Sequence, residues 1–330
     1  MKLPFFRSCS LLHRLRRGFA GLGLSACAAL AWGQGGADCP AVPAAPTQAE
    51  TDAGMKTARD RGFLWRIYKD GRTSFLYGTI HVGQADWAYP GPRLQDALRA
   101  SSIVALEMDM LDPATLQGLQ ASVSKAPQRP LPQALTKRLK AQLQAACLPE
   151  QMLSAMSPEL LATTLVVMST RRDGLDAAWG IDNAYARLAR GLQRPVVSLE
   201  SPAQQIGLLQ GSTQAETIAR VEEALADLES PQLRTTIRRL ATDWAEGRLD
   251  DLQRYESWCD CVKTPAQRTL LKRMLDGRNP AMADKIHALH ESGERVFAAV
   301  GSLHMIGPAG LPALMARRGY RVERVALTPP

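Results

Sequence analysis

The alternation of apolar and polar positions changes rhythm several times along the chain. Phe63-Leu64-Trp65-Arg66-Ile67-Tyr68 and Thr73-Ser74-Phe75-Leu76-Tyr77 flank Lys69-Asp70-Gly71-Arg72, which predicts two strands joined by an Asp-Gly turn. The second run leads directly into Gly78-Thr79-Ile80-His81. Leu94–Ala100 reads as a short helix, followed by the apolar run Ile103-Val104-Ala105-Leu106-Glu107-Met108. Residues 112–195 and 202–292 carry helical patterning, with starts at Ser157-Pro158-Glu159, at Thr213 with Glu216, and at Thr264-Pro265. One strand, Pro195–Glu200, interrupts them. Val296–Val300 and Arg321–Leu327 read as strands around a helix at Leu311–Arg318 that stops at Gly319. Short strands that are apolar throughout and separated by helices predict an α/β (α+β) fold: a central mixed sheet covered by helices, with a large helical middle segment. In such sheets ligands sit at the carboxyl ends of the strands.

The front of the chain has a different character. Residues 2–17 are basic, and Gly18–Gly33 is an uncharged apolar run, the layout of a secretory signal peptide. It is shorter than the roughly 20 residues of a membrane-spanning helix. Cleavage fits after Ala31 or Gly33. A lipobox-like Leu24-Ser25-Ala26-Cys27 would instead leave Cys27 as a lipidated N-terminus on the outer membrane. The expected division is a signal at 1–33, a Pro/Ala/Gly-rich flexible arm at 34–60 and one domain at 61–330, with export to the periplasm or beyond. The composition, 45% hydrophobic and 22% charged over 330 residues, is ordinary for a globular chain. The net charge of +8 shrinks to +3 once the five cations of the signal are set aside, which argues against a nucleic-acid partner.

Outside the signal there are four cysteines, Cys39, Cys147, Cys259 and Cys261, suited to two disulfides in an oxidising compartment. Cys259 and Cys261 stand too close in sequence for a comfortable bridge, so each is expected to pair with Cys39 or Cys147. The spacing lacks the paired CxxC units of a zinc ribbon.

The chemistry concentrates where apolar strands end in polar residues: FLYGTIH up to His81, IVALE up to Glu107, PVVSLE up to Glu200 and VFAAVGSLH up to His304. Two of these ends share Gly-x-x-His, at Gly78…His81 and Gly301…His304. Imidazole and carboxylate together make a common shell for a divalent metal, and an incomplete shell leaves room for an activated water. His287 and His290, three residues apart, fall off the stripe of Met282, Ile286 and Leu289 and read as a solvated helix face. No HExxH, GxSxG or GxxxxGK[ST] motif occurs, which lowers zincin, serine-hydrolase and nucleotide-hydrolase readings.

FLYGTIHVG and FAAVGSLHMIGPAGL, with ALEMD, GIDNAYARLARGLQRPVVSLES and DGRNPAMADKI in order between them, resemble the TraB/GumN family, which includes the TIKI proteins. The resemblance spans about residues 62–327. It implies an architecture similar to erythromycin-esterase-like and ChaN-like proteins. It also implies a divalent-metal-dependent hydrolase, most naturally a peptidase acting on a peptide or protein, with Mn or Co favoured over Zn. Carried over by position, His81, His304 and Glu107 are the expected metal ligands, with Glu107 alternatively the general base. Arg278, Asn279 and Glu200 are the expected catalytic companions, and Asp182 is a further match. Arg278-Asn279-Pro280 also reads as a plain helix start with Asn279 as N-cap and Pro280 at the first position. The competing reading keeps the histidine pair on the same fold in a non-catalytic protein that holds haem or metal or acts on partners in the envelope.

Overall fold

The structure, a computed structural model, describes residues 39–327. The expected signal segment, its cleavage sites and Cys27 lie outside the described residues. Among the described residues no helix is long and apolar enough to cross a membrane.

Six strands form one sheet: β1 (Phe63–Lys69), β2 (Arg72–Thr79), β3 (Ile103–Leu106), β4 (Val196–Ser198), β5 (Val296–Gly301) and β6 (Arg321–Val325), in the spatial order β4-β3-β5-β2-β1-β6. β1 and β2 make the expected hairpin, Phe63 opposite Gly78 and Lys69 opposite Arg72. Asp70 and Gly71 both take left-handed backbone angles at its turn, the geometry that matches the twist of the two strands. β4, β3, β5 and β2 run parallel, and β1 is antiparallel to both its neighbours. The mixed sheet is therefore as the strand pattern requires. β3 is buried at every position, as is β5 up to Val300, because helices cover both faces.

Strand alternation assigns those faces. Tyr77 and Phe297 point to the side where Tyr185, from the helix Ile181–Gly191, stacks on Phe297 at 5.5 Å. Ser74 points to the other side, where the helix Asn279–Glu291 lies. His290 of that helix is fully buried, not solvated. Its Nδ1 meets Ser74 Oγ at 2.9 Å and its Nε2 meets Lys69 O at 3.1 Å. Met282, Ile286 and His290 follow at four-residue steps, so His290 continues the buried stripe, and burial lowers its pKa. His287 is half-buried against the Tyr320 hydroxyl.

The helical middle segment has its own core. Leu135, Leu139 and Leu143 on the helix Gln133–Ala145 meet Leu161 and Leu165 on Pro158–Ser169, and Val221 and Leu225 on Gln214–Glu229. The expected starts are present: Pro158 opens its helix, Thr213 Oγ1 accepts from the Glu216 backbone N–H, and Thr264 with Gln267 forms a capping box. In the segment expected to be a flexible arm, Gln48–Thr57 is a helix whose Thr47 and Glu50 also form a capping box.

The disulfides correct the expected pairing. Cys39 bonds Cys147, and Cys259 bonds Cys261. The short loop closes because Asp260 adopts a left-handed conformation, which folds the Cys259 and Cys261 Cα atoms to within 5.1 Å. The Cys39–Cys147 bond ties the start of the described chain to the helical segment across 108 residues.

Candidate active site

The parallel strands deliver four of the expected residues to one end of the sheet. His81 follows β2, Glu107 follows β3, Glu200 follows β4, and His304 lies in the 3-10 turn Ser302–Met305 after β5. β2 and β5 are neighbours with Thr79 beside Gly301, so the two Gly-x-x-His units lie side by side. The glycines make this approach possible. A side-chain carbon on Gly78 would stand 2.9 Å from Ser302 Oγ; one on Gly301 would stand 3.1 Å from Glu107 Oε1 and 3.6 Å from both imidazoles. The space at Gly301 is thus left open between the three candidate ligands.

Both imidazoles are oriented from behind. Asp182, in the first turn of Ile181–Gly191, receives Thr79 Oγ1 at 2.6 Å and meets His81 Nδ1 at 2.7 Å. Asn279 is buried in the first turn of its helix; Arg278, not Asn279, is the N-cap residue. Asn279 Nδ2 donates to Ala309 O at 2.8 Å, which turns Oδ1 towards His304 Nδ1 at 2.6 Å. His304 Nδ1 must therefore carry the proton, leaving the Nε2 lone pair facing the site. The two Nε2 atoms stand 3.9 Å (His81) and 4.0 Å (His304) from the same oxygen, Glu107 Oε1. That oxygen also accepts the Gly301 backbone N–H at 2.8 Å.

Arg278 completes the floor. Its Nη2 donates to Glu107 Oε2 at 2.5 Å, its Nε to Glu200 Oε1 at 2.9 Å, and its Nη1 to the Nε2 lone pair of His304 at 3.2 Å, a bond that an ion on Nε2 would replace. Glu200 touches neither histidine; it acts on the site through Arg278, with Gln205 Nε2 on its other oxygen at 3.2 Å. Burial drives the Glu107 carboxyl up, but His81, His304, Arg278 and the Gly301 N–H together override it and hold it at about 2. Asp182 raises His81 to about 9, while burial lowers His304 to about 4. One imidazole is thus a cation at neutral pH and the other is neutral. The side chain of His81 is 65% exposed and that of His304 only 4%, so a ligand enters from the His81 side.

These shifts set a pH dependence for the metal-free protein. His81 holds its proton more tightly folded than unfolded, so its stabilisation is complete below about pH 6.5 and is lost as pH rises towards 9. His304 must gain a proton on unfolding at acid pH, so stability also falls as pH drops from about 6.5 towards 4. Thermal melting in chelator should peak between these limbs, and His81→Gln should flatten the alkaline limb alone. An alkaline limb unchanged in that variant would contradict the assignment.

Above the floor lies a cleft of about 330 Å³, lined by the apolar Met108, Met110 and Met274 and by the polar His81, Asp182 and Asn183. In donor chemistry and orientation the residues suit a divalent cation: two imidazole Nε2 atoms, that of His81 once the ion displaces its proton, and one carboxylate oxygen, each supported from behind. As they stand they are spread wider than a closed shell: no group of three or more His, Cys, Asp or Glu residues is gathered to ion-binding distances among the described residues.

Residues 63–324 match the sequence profile of the TraB/PrgY/gumN family. The chain belongs to that family. It is 28% identical over 267 residues to the uncharacterized protein YbaP of Shigella flexneri, covering 74% of this chain and 88% of the relative. YbaP of Escherichia coli strain K12 is also 28% identical, over 263 residues, covering 73% of this chain and 86% of the relative. Metalloprotease TIKI1 of Homo sapiens is 24% identical over 332 residues, spanning 84% of this chain and 65% of that protein. No solved structure gives a significant match. The matched span contains all six expected site residues. Reading the sequence undervalues Asp182 and misses the backbone N–H of Gly301; the Gly180-Ile181-Asp182 helix start, with its acid in the first turn, is the signal that points to the first.

Proposed function

We propose that this protein is an exported, divalent-metal-dependent hydrolase that cuts a peptide bond, with His81, His304 and Glu107 holding the ion. The observation that carries the reading is the convergence of two Nε2 atoms, fixed from behind by Asp182 and Asn279, on one oxygen of Glu107 at the carboxyl end of a parallel sheet. The likeness to proteins named metalloproteases supports it, and the two disulfides support export. The ion, Mn or Co by preference, would supply Lewis-acid polarisation of a carbonyl and a more acidic water.

The protein's own groups have separable tasks. Glu107, held at about 2 with both oxygens engaged, is a poor proton acceptor and suits the role of ligand rather than general base. The high proton affinity of His81 marks a position where the surrounding carboxylates favour a cation. Arg278, with its N–H groups spent on Glu200, Glu107, Met274 O and His304 Nε2, steadies the carboxylates and fixes the floor of the site. The methionines that line the cleft offer apolar surface for a substrate side chain.

A panel of internally quenched peptides, presented to chelator-stripped protein with and without added Mn²⁺ or Co²⁺, tests this. Cleavage is expected only with metal, and added haem is expected to keep the broad absorption of unbound haem, with no shifted, sharpened Soret band. Cleavage that persists in chelator, or a haem complex with no cleavage under any condition, would overturn the reading.

A further inference from the structure

The proposed metal site makes no use of Cys259-Asp260-Cys261, and the bond between its two sulfurs is poorly suited to be a staple. In the chain-entropy view a disulfide stabilises by restricting the unfolded chain, an effect that grows with the loop it closes. Cys39–Cys147 spans 108 positions, whereas Cys259–Cys261 spans 2. The short loop also holds Asp260 at a φ of 55°, in the left-handed region that a residue with a side chain enters at a cost.

The two cysteines differ in a way that suits thiol exchange. Cys261 is exposed and lines a cavity of about 410 Å³ with Leu270, Leu271 and Met274, so a small thiol can reach it. Cys259 is 2% exposed, and its Sγ receives the Cys261 backbone N–H at 3.2 Å. A donor aimed at a sulfur favours its thiolate, which makes Cys259 the better leaving group.

The buried cysteine is also the one that reaches towards the site. Tyr255, Cys259 and Val262 form a small cluster against which Leu303 and Ile306 pack, and these two flank His304 in its turn. Leu271 and Leu275 pack on the same cluster, and Leu275 O accepts the Arg278 backbone N–H at 3.1 Å. From the other side Thr236 Oγ1 donates to Cys259 O at 3.0 Å.

We infer that Cys259–Cys261 is a thiol–disulfide exchange site for a small thiol reductant, and that its redox state sets how firmly His304 is held. A thiolate attacks Cys261 Sγ, the S–S bond breaks, and Cys259 leaves as a thiolate that takes up a proton from water. A second thiol then displaces Cys261 from the mixed disulfide. The two cysteines gain two electrons and two protons, and the two reductant thiols end as one disulfide. Opening releases Asp260 from its left-handed conformation and loosens the cluster beneath the His304 turn. The exchange stands without the peptidase reading; only its effect on a bound ion rests on that reading.

The test equilibrates the folded, oxidised protein with dithiothreitol buffers, quenches in acid, alkylates and maps the cysteines by mass spectrometry. With oxidised dithiothreitol in about 10-fold excess over reduced, Cys259 and Cys261 should be mostly open, where a structural bond stays closed. Brief exposure to 2-mercaptoethanol should place the mixed disulfide on Cys261 and not on Cys259. Cys259→Ser/Cys261→Ser gives up only the short loop, should fold as well as the parent, and stands for the open state without any reductant. In chelator its His304 imidazole resonances should move or broaden while those of His290, packed against Ser74, stay in place. Its Mn²⁺ affinity should fall about 10-fold. A bond that stays closed in that buffer, an adduct on Cys259, or His304 resonances alike in both proteins would overturn the inference. If neither protein binds Mn²⁺, the metal reading fails, and the mapping and the resonances still decide this one.

Discussion

Replacing His81 and His304 together with alanine should reduce metal-dependent hydrolysis to background. Each imidazole offers one Nε2 to the space beside Glu107, and nothing else on the described residues replaces it there. Variants behind the ligands should be milder. Asp182→Asn and Asn279→Ala leave both imidazoles present but loosen their orientation and tautomer, which typically costs about 10–100-fold in affinity or activity. The graded series separates ligand from orienting partner: the double histidine variant loses stoichiometric metal binding, whereas the partner variants keep it at lower affinity. His304→Ala also opens a gap beside Asn279, so melting curves should accompany the assays. Equal losses in all variants would mean that the polar cluster is structural, with activity lost through misfolding.

Arg278→Ala should be the most destabilising single change at the site. The guanidinium, 12% exposed, pairs with Glu107 and Glu200, each 7% exposed, and removing it strands two buried carboxylates. Breaking a buried ion pair from one side costs about 3–5 kcal/mol. The variant's carboxylates should regain protons more readily once the cation is gone, so folding now raises their pKa. That penalty is fully felt at high pH and fades as pH falls through the raised value. Urea denaturation of the metal-free variant should therefore show a deficit that is larger at pH 8 than at pH 5, partly restored by adding Glu200→Gln. A deficit below about 1 kcal/mol at pH 8 would mean that the pair behaves as an exposed surface ion pair.

Much of this site could be read directly because parallel strands present it in a simple form. An apolar run that ends in a polar residue marks the carboxyl end of a buried strand, and Gly-x-x-His occurring twice marks two such ends that need close approach. Whether the two ends adjoin depends on strand order, which no local pattern carries; the β2–β5 pairing supplies it. The failures have equally definite causes. With Leu289 in the helix stripe His290 reads as solvated, yet the four-residue step from Met282 through Ile286 ends on the histidine itself. An ordinary backbone between Cys259 and Cys261 makes their bond too tight, whereas Asp260 is left-handed. Asn279 looked like a cap, but the helix begins one residue earlier and the amide is spent on His304. The helix Gln48–Thr57 was hidden by an Ala/Pro-rich composition, although its Thr47-x-x-Glu50 capping box was in plain view.

The central claim, that the paired Gly-x-x-His units and Glu107 hold a divalent cation, is tested most directly by titrating Mn²⁺ into chelator-stripped protein. Free Mn²⁺ is followed by electron paramagnetic resonance, with the His81→Ala/His304→Ala variant in parallel. One ion per chain is expected in the wild type and none in the variant, with both proteins folded. No binding in the wild type, or the same stoichiometry and affinity in both, would contradict the account.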